Sequence, residues 1–145
     1  QDFRLLPNLT VFENIAFALE VIGTKRIEVR RRVREVLALV ALEDKAKSFP
    51  NELSGGQQQR ATIGRAIVNR PKVLIADEPT GNPQMSDEII DLLEKINEKE
   101  GTTIVMVTHD KALVDHHKKR TIALEEGFVV ADMMKGGYIK HDAEF

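Results

Sequence analysis

This chain of 145 residues has no cysteine, no tryptophan and a single tyrosine. Without cysteine it can form no disulfide and no thiolate metal site, which fits a reducing compartment. No apolar run approaches the ~20 residues that a helix needs to cross a bilayer. No basic stretch followed by an apolar one marks a secretory leader. Neither sign of charge is in excess: 21 Lys and Arg stand against 23 Asp and Glu, for a formal net charge of -2. Such a balance offers no bulk attraction for nucleic acid. None of the 9 glycines is followed by lysine, so the phosphate-cradling loop G-x-x-x-x-G-K-[ST] is missing from these residues. Repeats and low-complexity tracts are also missing. What is present, 42% hydrophobic and 30% charged residues, suits a soluble globular domain with a real core.

The stretch from Leu53 to Thr80, LSGGQQQRATIGRAIVNRPKVLIADEPT, organises the rest. Ser54 and Gln57 have the spacing of a capping box, predicting a helix from Ser54 to about Asn69 that Arg70-Pro71 stops. Gly55 and Gly56 in its first turn leave backbone N–H groups open to a phosphate. Val73-Leu74-Ile75-Ala76 reads as a short buried strand, carrying Asp77 and Glu78 to its C-terminal end, the edge at which parallel α/β sheets bind ligands. Taken singly, either motif has a bland explanation, a Gly/Gln loop or a solvated strand end. Their order and spacing together do not.

LSGGQ followed by QQR, and then an apolar strand ending in Asp-Glu-Pro-Thr, resembles the signature helix and Walker B strand of ATP-binding cassette (ABC) ATPases. The resemblance implies a P-loop NTPase-like α/β fold: a helical subdomain plus the C-terminal part of a mostly parallel sheet flanked by helices. It covers nearly all of these residues, which correspond to about the last two-thirds of a family domain; the expectation is a piece of something longer. Alone, the chain is expected to bind ATP weakly or not at all, with an open sheet edge.

The resemblance implies the roles as well. Gln1 stands where the Q-loop glutamine would, near Mg²⁺ and the attacking water. Ser54, Gly55, Gly56 and Gln57 would hold the γ-phosphate of ATP bound by a second subunit, in a two-fold homodimer. Asp77 would ligate Mg²⁺, Glu78 would orient the water as base, and His109 would serve as the switch histidine. Within the family, QDFRLLPNLTVFENIAFALEV, AIVNRPKVLIADEPTGN, THDKALVDHHKKRTIALEEG and the KGGY tail are similar to bacterial cell-division ATPases of the FtsE type. Those work at the cytoplasmic face of the membrane with an FtsX-type integral membrane subunit. Lipoprotein-release and macrolide-export ATPases share most of these motifs. A catalytically silent module that binds a partner is the alternative.

Elsewhere, Thr10 and Glu13 form another capping box, opening a helix with Phe12, Ile15, Ala16, Leu19 and Ile22 at helical spacing and Gly23 at its end. Phe12 and Phe17 are read as core; Phe3, Leu5 and Leu6 as a partner contact. A helix from Ile27 to about Leu42 buries Val29, Val33, Val36, Leu37 and Val40. Arg30, Arg31, Arg32 and Arg34 form its solvated face, with attraction to anionic headgroups as the sharper reading. Pro83 and Gln84 depart from the leucine-aspartate pair of the family's D-loop. Ser86 opens a helix that Gly101 closes, and Thr102 to Val107 is a buried strand placed alongside the first. His116 and His117 are expected to face solvent, a hairpin turns at Glu125-Glu126-Gly127, and the tail is expected to be mobile. The division is 1–52 (Q-loop and helical part), 53–124 (signature, Walker B, D-loop and H-loop) and 125–145 (hairpin and tail).

Overall fold

The structure, a computed structural model, describes residues 4–79 and 86–135. Gln1, Phe3, Pro83, Gln84 and the tail beyond Lys135 therefore lie outside the described residues. The chain divides into two compact units, 1–107 and 108–145.

The first unit opens with α1 (Val11–Val21). The Thr10 hydroxyl accepts from the Glu13 N–H at 3.3 Å, and Glu13 Oε2 accepts from the Thr10 N–H at 2.7 Å. This is the expected reciprocal cap, and its backbone bond, then its hydroxyl, holds the Glu13 carboxyl below its usual range. At the other end, Gly23 takes φ +75. Its N–H reaches the Glu20 carbonyl and the Thr24 N–H reaches that of Leu19, both at 3.0 Å, a Schellman stop. Ile15, Ala16 and Leu19 are buried, with Val11 and Asn14. The Asn14 amide accepts from the Leu6 N–H at 2.8 Å and donates to the carbonyls of Leu6, Leu9 and Thr10, fastening the preceding segment onto α1. Phe17 departs from expectation and is 44% exposed. It lies two residues, about 200°, around the helix from Ile15. Phe12 is half-buried, and Ile22, already past the last turn, is exposed.

The second helix, α2 (Arg26–Leu39), buries Val29, Val33, Val36 and Leu37, and Val40 beyond its end is buried too. Its arginine run is not one solvated face. Arg30, Arg31 and Arg34 are exposed, but Arg32 is only 4% exposed. It lies three residues after Val29 and four before Val36, on their side of the helix. Two single-turn 3₁₀ segments, Glu43–Lys45 and Pro50–Glu52, lead to α3 (Gly55–Ile67), which packs against α1 and α2. Gly64 sits where the three cross: a Cβ there would come within 3.1 Å of Ile15 Cδ1 and 3.2 Å of Val36 Cγ1.

Arg32 ties this bundle to a helix end far along the chain. Its Nε and Nη2 donate to the carbonyls of Val68 (2.9 Å) and Ile67 (3.1 Å) at the end of α3. Its Nη1 and Nη2 grip both carboxylate oxygens of Glu100, at 3.0 and 2.9 Å. A cation at a helix C-terminus and a bidentate carboxylate together satisfy a charge that water does not reach.

After α3 come β1 (Val73–Asp77), α4 (Ser86–Glu100) and β2 (Thr103–Val107). Acidic Asp87 and Glu88 occupy the first turn of α4, complementing its dipole. Ile89, Ile90, Leu92, Leu93 and Ile96 are buried, and Gly101 ends the helix at φ +70. The strands pair in parallel, from Val73 opposite Thr103 to Asp77 opposite Val107. Buried Thr102 sets that register: its hydroxyl donates to the Pro71 carbonyl at 3.0 Å, and the Thr103 N–H to that of Lys72 at 2.9 Å. The expectation of buried strands needs correction. Val73, Ile75, Val105 and Val107 are 52%, 71%, 48% and 52% exposed. They share one face of the pair, while Leu74, Ala76, Ile104 and Met106 on the other are half-buried.

In the second unit, Asp110 caps α5 (Lys111–His117), accepting from the N–H groups of Ala112 and Leu113. Then β3 (Thr121–Glu125) and β4 (Phe128–Met133) pair antiparallel. Glu126 and Gly127 both take positive φ, 48 and 85, the two-residue turn whose twist suits a hairpin. Exposed Arg120 and Asp132 pair across the strands at 2.7 and 2.9 Å. His116 is exposed, but His117 is half-buried, not solvent-facing as expected.

Candidate functional site

The helix expected at Ser54 forms with the expected cap. Ser54 Oγ accepts from the Gln57 N–H at 3.3 Å, and Gln57 Oε1 accepts from the Ser54 N–H at 2.9 Å. Both partners are thus fixed, and the serine hydroxyl keeps its own proton to donate. The first N–H groups of α3 have no intrahelical acceptor. Gly55 is exposed, and a Cβ added there would meet nothing within 4 Å, whereas Gly56 is buried. Among the described residues, none occupies the space beside the Gly55 Cα. Gln58 steadies the turn by donating to the carbonyls of Pro50 and Leu53 at 3.1 and 3.3 Å.

At the end of β1, Asp77 is exposed and Glu78 half-buried. The Glu78 N–H donates to the Val107 carbonyl at 3.0 Å, prolonging the parallel ladder. Glu78 itself adopts φ +44, a region that non-glycine residues seldom enter. Buried Pro79 follows, and its carbonyl accepts from the Gln59 amide on α3. The two motifs are therefore bonded to each other within the first unit. Arg32 stood in a run expected to face solvent, and Gln59 was given no role of its own. Gln59 stood inside the quoted QQR, but only the fold shows what its amide meets.

The second unit carries His109, exposed and two residues beyond the end of β2. The exposed carboxylate of Asp77 is a hard oxygen donor of the kind Mg²⁺ takes. An unencumbered helix N-terminus with a donor hydroxyl suits a phosphate oxygen.

Comparison with known proteins fixes the family. The model of the ABC transporter family matches residues 1–81, more than half of the chain. The chain belongs to the ABC transporter family. It is 57% identical over 144 residues to the cell division ATP-binding protein FtsE of Bacillus subtilis, covering 98% of this chain and 63% of that protein. It is also 48% identical over 134 residues to the methionine import ATP-binding protein MetN of Carboxydothermus hydrogenoformans, covering 91% of this chain and 40% of that one. Among solved structures, the ABC cassette MJ0796, a dimer in a post-hydrolysis state bound to ADP and Pi, superposes with a TM-score of 0.75 at 38% identity. That match covers 95% of this chain and 62% of the cassette. The fold is that of an ABC cassette, as expected, and the chain spans less than two thirds of the length of these relatives.

Proposed function

We propose that this chain belongs to the ATP-binding and ATP-hydrolysing subunit of an ABC-type membrane complex acting in bacterial cell division. The observation that carries the reading is the bonding of the serine-capped α3 to the exit of β1, which brings the two family motifs into one unit. Ser54, Gly55, Gly56 and Gln57 would meet the γ-phosphate of ATP held by a second copy, through the serine hydroxyl and backbone N–H groups. Mg²⁺, when bound, supplies positive charge against the phosphate oxygens, and Asp77 would hold it, with Gln1 as a further oxygen donor. Glu78 accepts a proton from, or orients, the attacking water. His109 would hydrogen-bond the γ-phosphate. No covalent intermediate is required; the work is positioning and charge stabilisation.

The working form in this reading is a homodimer attached to an FtsX-type membrane subunit on the cytoplasmic face, with residues 1–52, 53–124 and 125–145 as its functional divisions. The FtsE likeness supports cell division over methionine import by identity, 57% against 48%. Membrane attachment is assigned to the partner subunit; no helix among the described residues is long and apolar enough to cross a membrane. A second reading is a silent partner-binding module, favoured by Pro83 and Gln84 standing in place of the family's leucine-aspartate pair. Turnover of MgATP by the protein translated from the complete reading frame separates the two. Under the first reading Glu78→Gln retains nucleotide binding and loses turnover by at least about 100-fold. An active Glu78→Gln variant contradicts it.

A further inference from the structure

Gln59 holds a position that neither motif explains. It lies on the second turn of α3, five residues past the Ser54 cap, and its amide donates to the Pro79 carbonyl. Pro79 is buried and immediately follows Glu78. Glu78 is therefore fastened on both sides: its N–H to the Val107 carbonyl of β2 at 3.0 Å, and the next peptide carbonyl to α3. Between these bonds its backbone sits at φ +44, a conformation that persists only where the surroundings impose it. Proline has a fixed φ and no N–H, so through its backbone Pro79 is held by what its carbonyl meets.

We propose that Gln59 is a positioning residue that couples the Ser54 end of α3 to the placement of Glu78 in the same subunit. This rests on the reading above, in which Ser54 serves the nucleotide of the neighbouring subunit and Glu78 that of its own. A displacement of α3, driven by a phosphate at its N-terminus, is then passed to Glu78 through one side-chain amide. Each chain thereby links two nucleotides that it touches with different elements. Gln59 touches neither substrate nor metal; its effect falls on the chemical step and not on nucleotide affinity.

The test uses the protein translated from the complete reading frame, with steady-state MgATP hydrolysis and thermal unfolding as readouts. Gln59→Leu keeps the size and removes the donor; Gln59→Lys keeps an N–H donor; Glu78→Gln is the control. Gln59→Leu is expected to lower kcat about tenfold, as a small misplacement of a reacting group does. KM should stay within about twofold, the melting temperature should be unchanged, and Gln59→Lys should retain most activity. Wild-type kcat in Gln59→Leu beside an inactive Glu78→Gln overturns the coupling and leaves the proposed function standing. So does a loss that tracks a lowered melting temperature and is not restored by lysine, which marks a merely structural residue. An active Glu78→Gln, or no hydrolysis by the unaltered protein, overturns the functional reading and this inference with it.

Discussion

Ile15, Val33 and Val36, on the three-helix side of the first unit, are fully buried, while Val73, Ile75, Val105 and Val107 on the strand pair keep about half of their surface or more. The same residue type thus meets two fates within 107 residues. The helices complete their own burial because each apolar stripe finds two others, closely enough that a Cβ at Gly64 would press on Ile15 and Val36 at 3.1 and 3.2 Å. Among the described residues, the parallel strands share a single hydrogen-bonded ladder, each keeps an outer edge outside it, and their Val73, Ile75, Val105 and Val107 face stays exposed. An apolar, β-branched run thus predicts a strand without saying how many of its faces are covered.

Substitutions on the two sides should differ in cost, most of all at Arg32, which anchors the helical side. Arg32→Met deprives Glu100 and two carbonyls of that donor. It should cost about 3–5 kcal/mol, read by urea unfolding of this chain; a cost under about 1 kcal/mol means that the buried pair is not the anchor. A smaller effect, about 2 kcal/mol from a cavity, is expected for Val36→Ala. Val105→Ala, on the uncovered face, should stay within about 0.5 kcal/mol. Equal costs at 36 and 105 would erase the comparison.

Local chemistry was legible in the sequence. Both capping boxes, the Gly23 and Gly101 stops and the hairpin turn depend on residues close in the chain, where spacing alone decides the geometry. The parallel pairing of the two strands was legible too, from the helix that separates them. Long-range side-chain partners were not. Arg32 stands in a run of arginines, and nothing near it announces a carboxylate 68 residues away. Asn14 reads as an ordinary helix residue until the preceding segment folds back onto its amide. Phe17 is large and apolar, but size does not set which side of a helix it occupies. At the candidate site, the motif positions were visible, while the Gln59 bond spanning 20 residues and the positive φ of Glu78 emerged only with the fold. The site residue Gln1 and the departures at Pro83 and Gln84 lie outside the described residues.

Two inactive variants, mixed, should complement each other, because the serine-led turn and the glutamate are assigned to different subunits of one nucleotide site. Ser54→Arg and Glu78→Gln versions of the complete protein, each inactive alone, are combined and assayed for MgATP hydrolysis. In a two-fold dimer, a mixed pair has one site with both defects and one with neither. Recovery toward about one quarter of wild-type turnover is expected at statistical mixing. A mixture no more active than its components would mean that the two residues do not serve one site from different subunits.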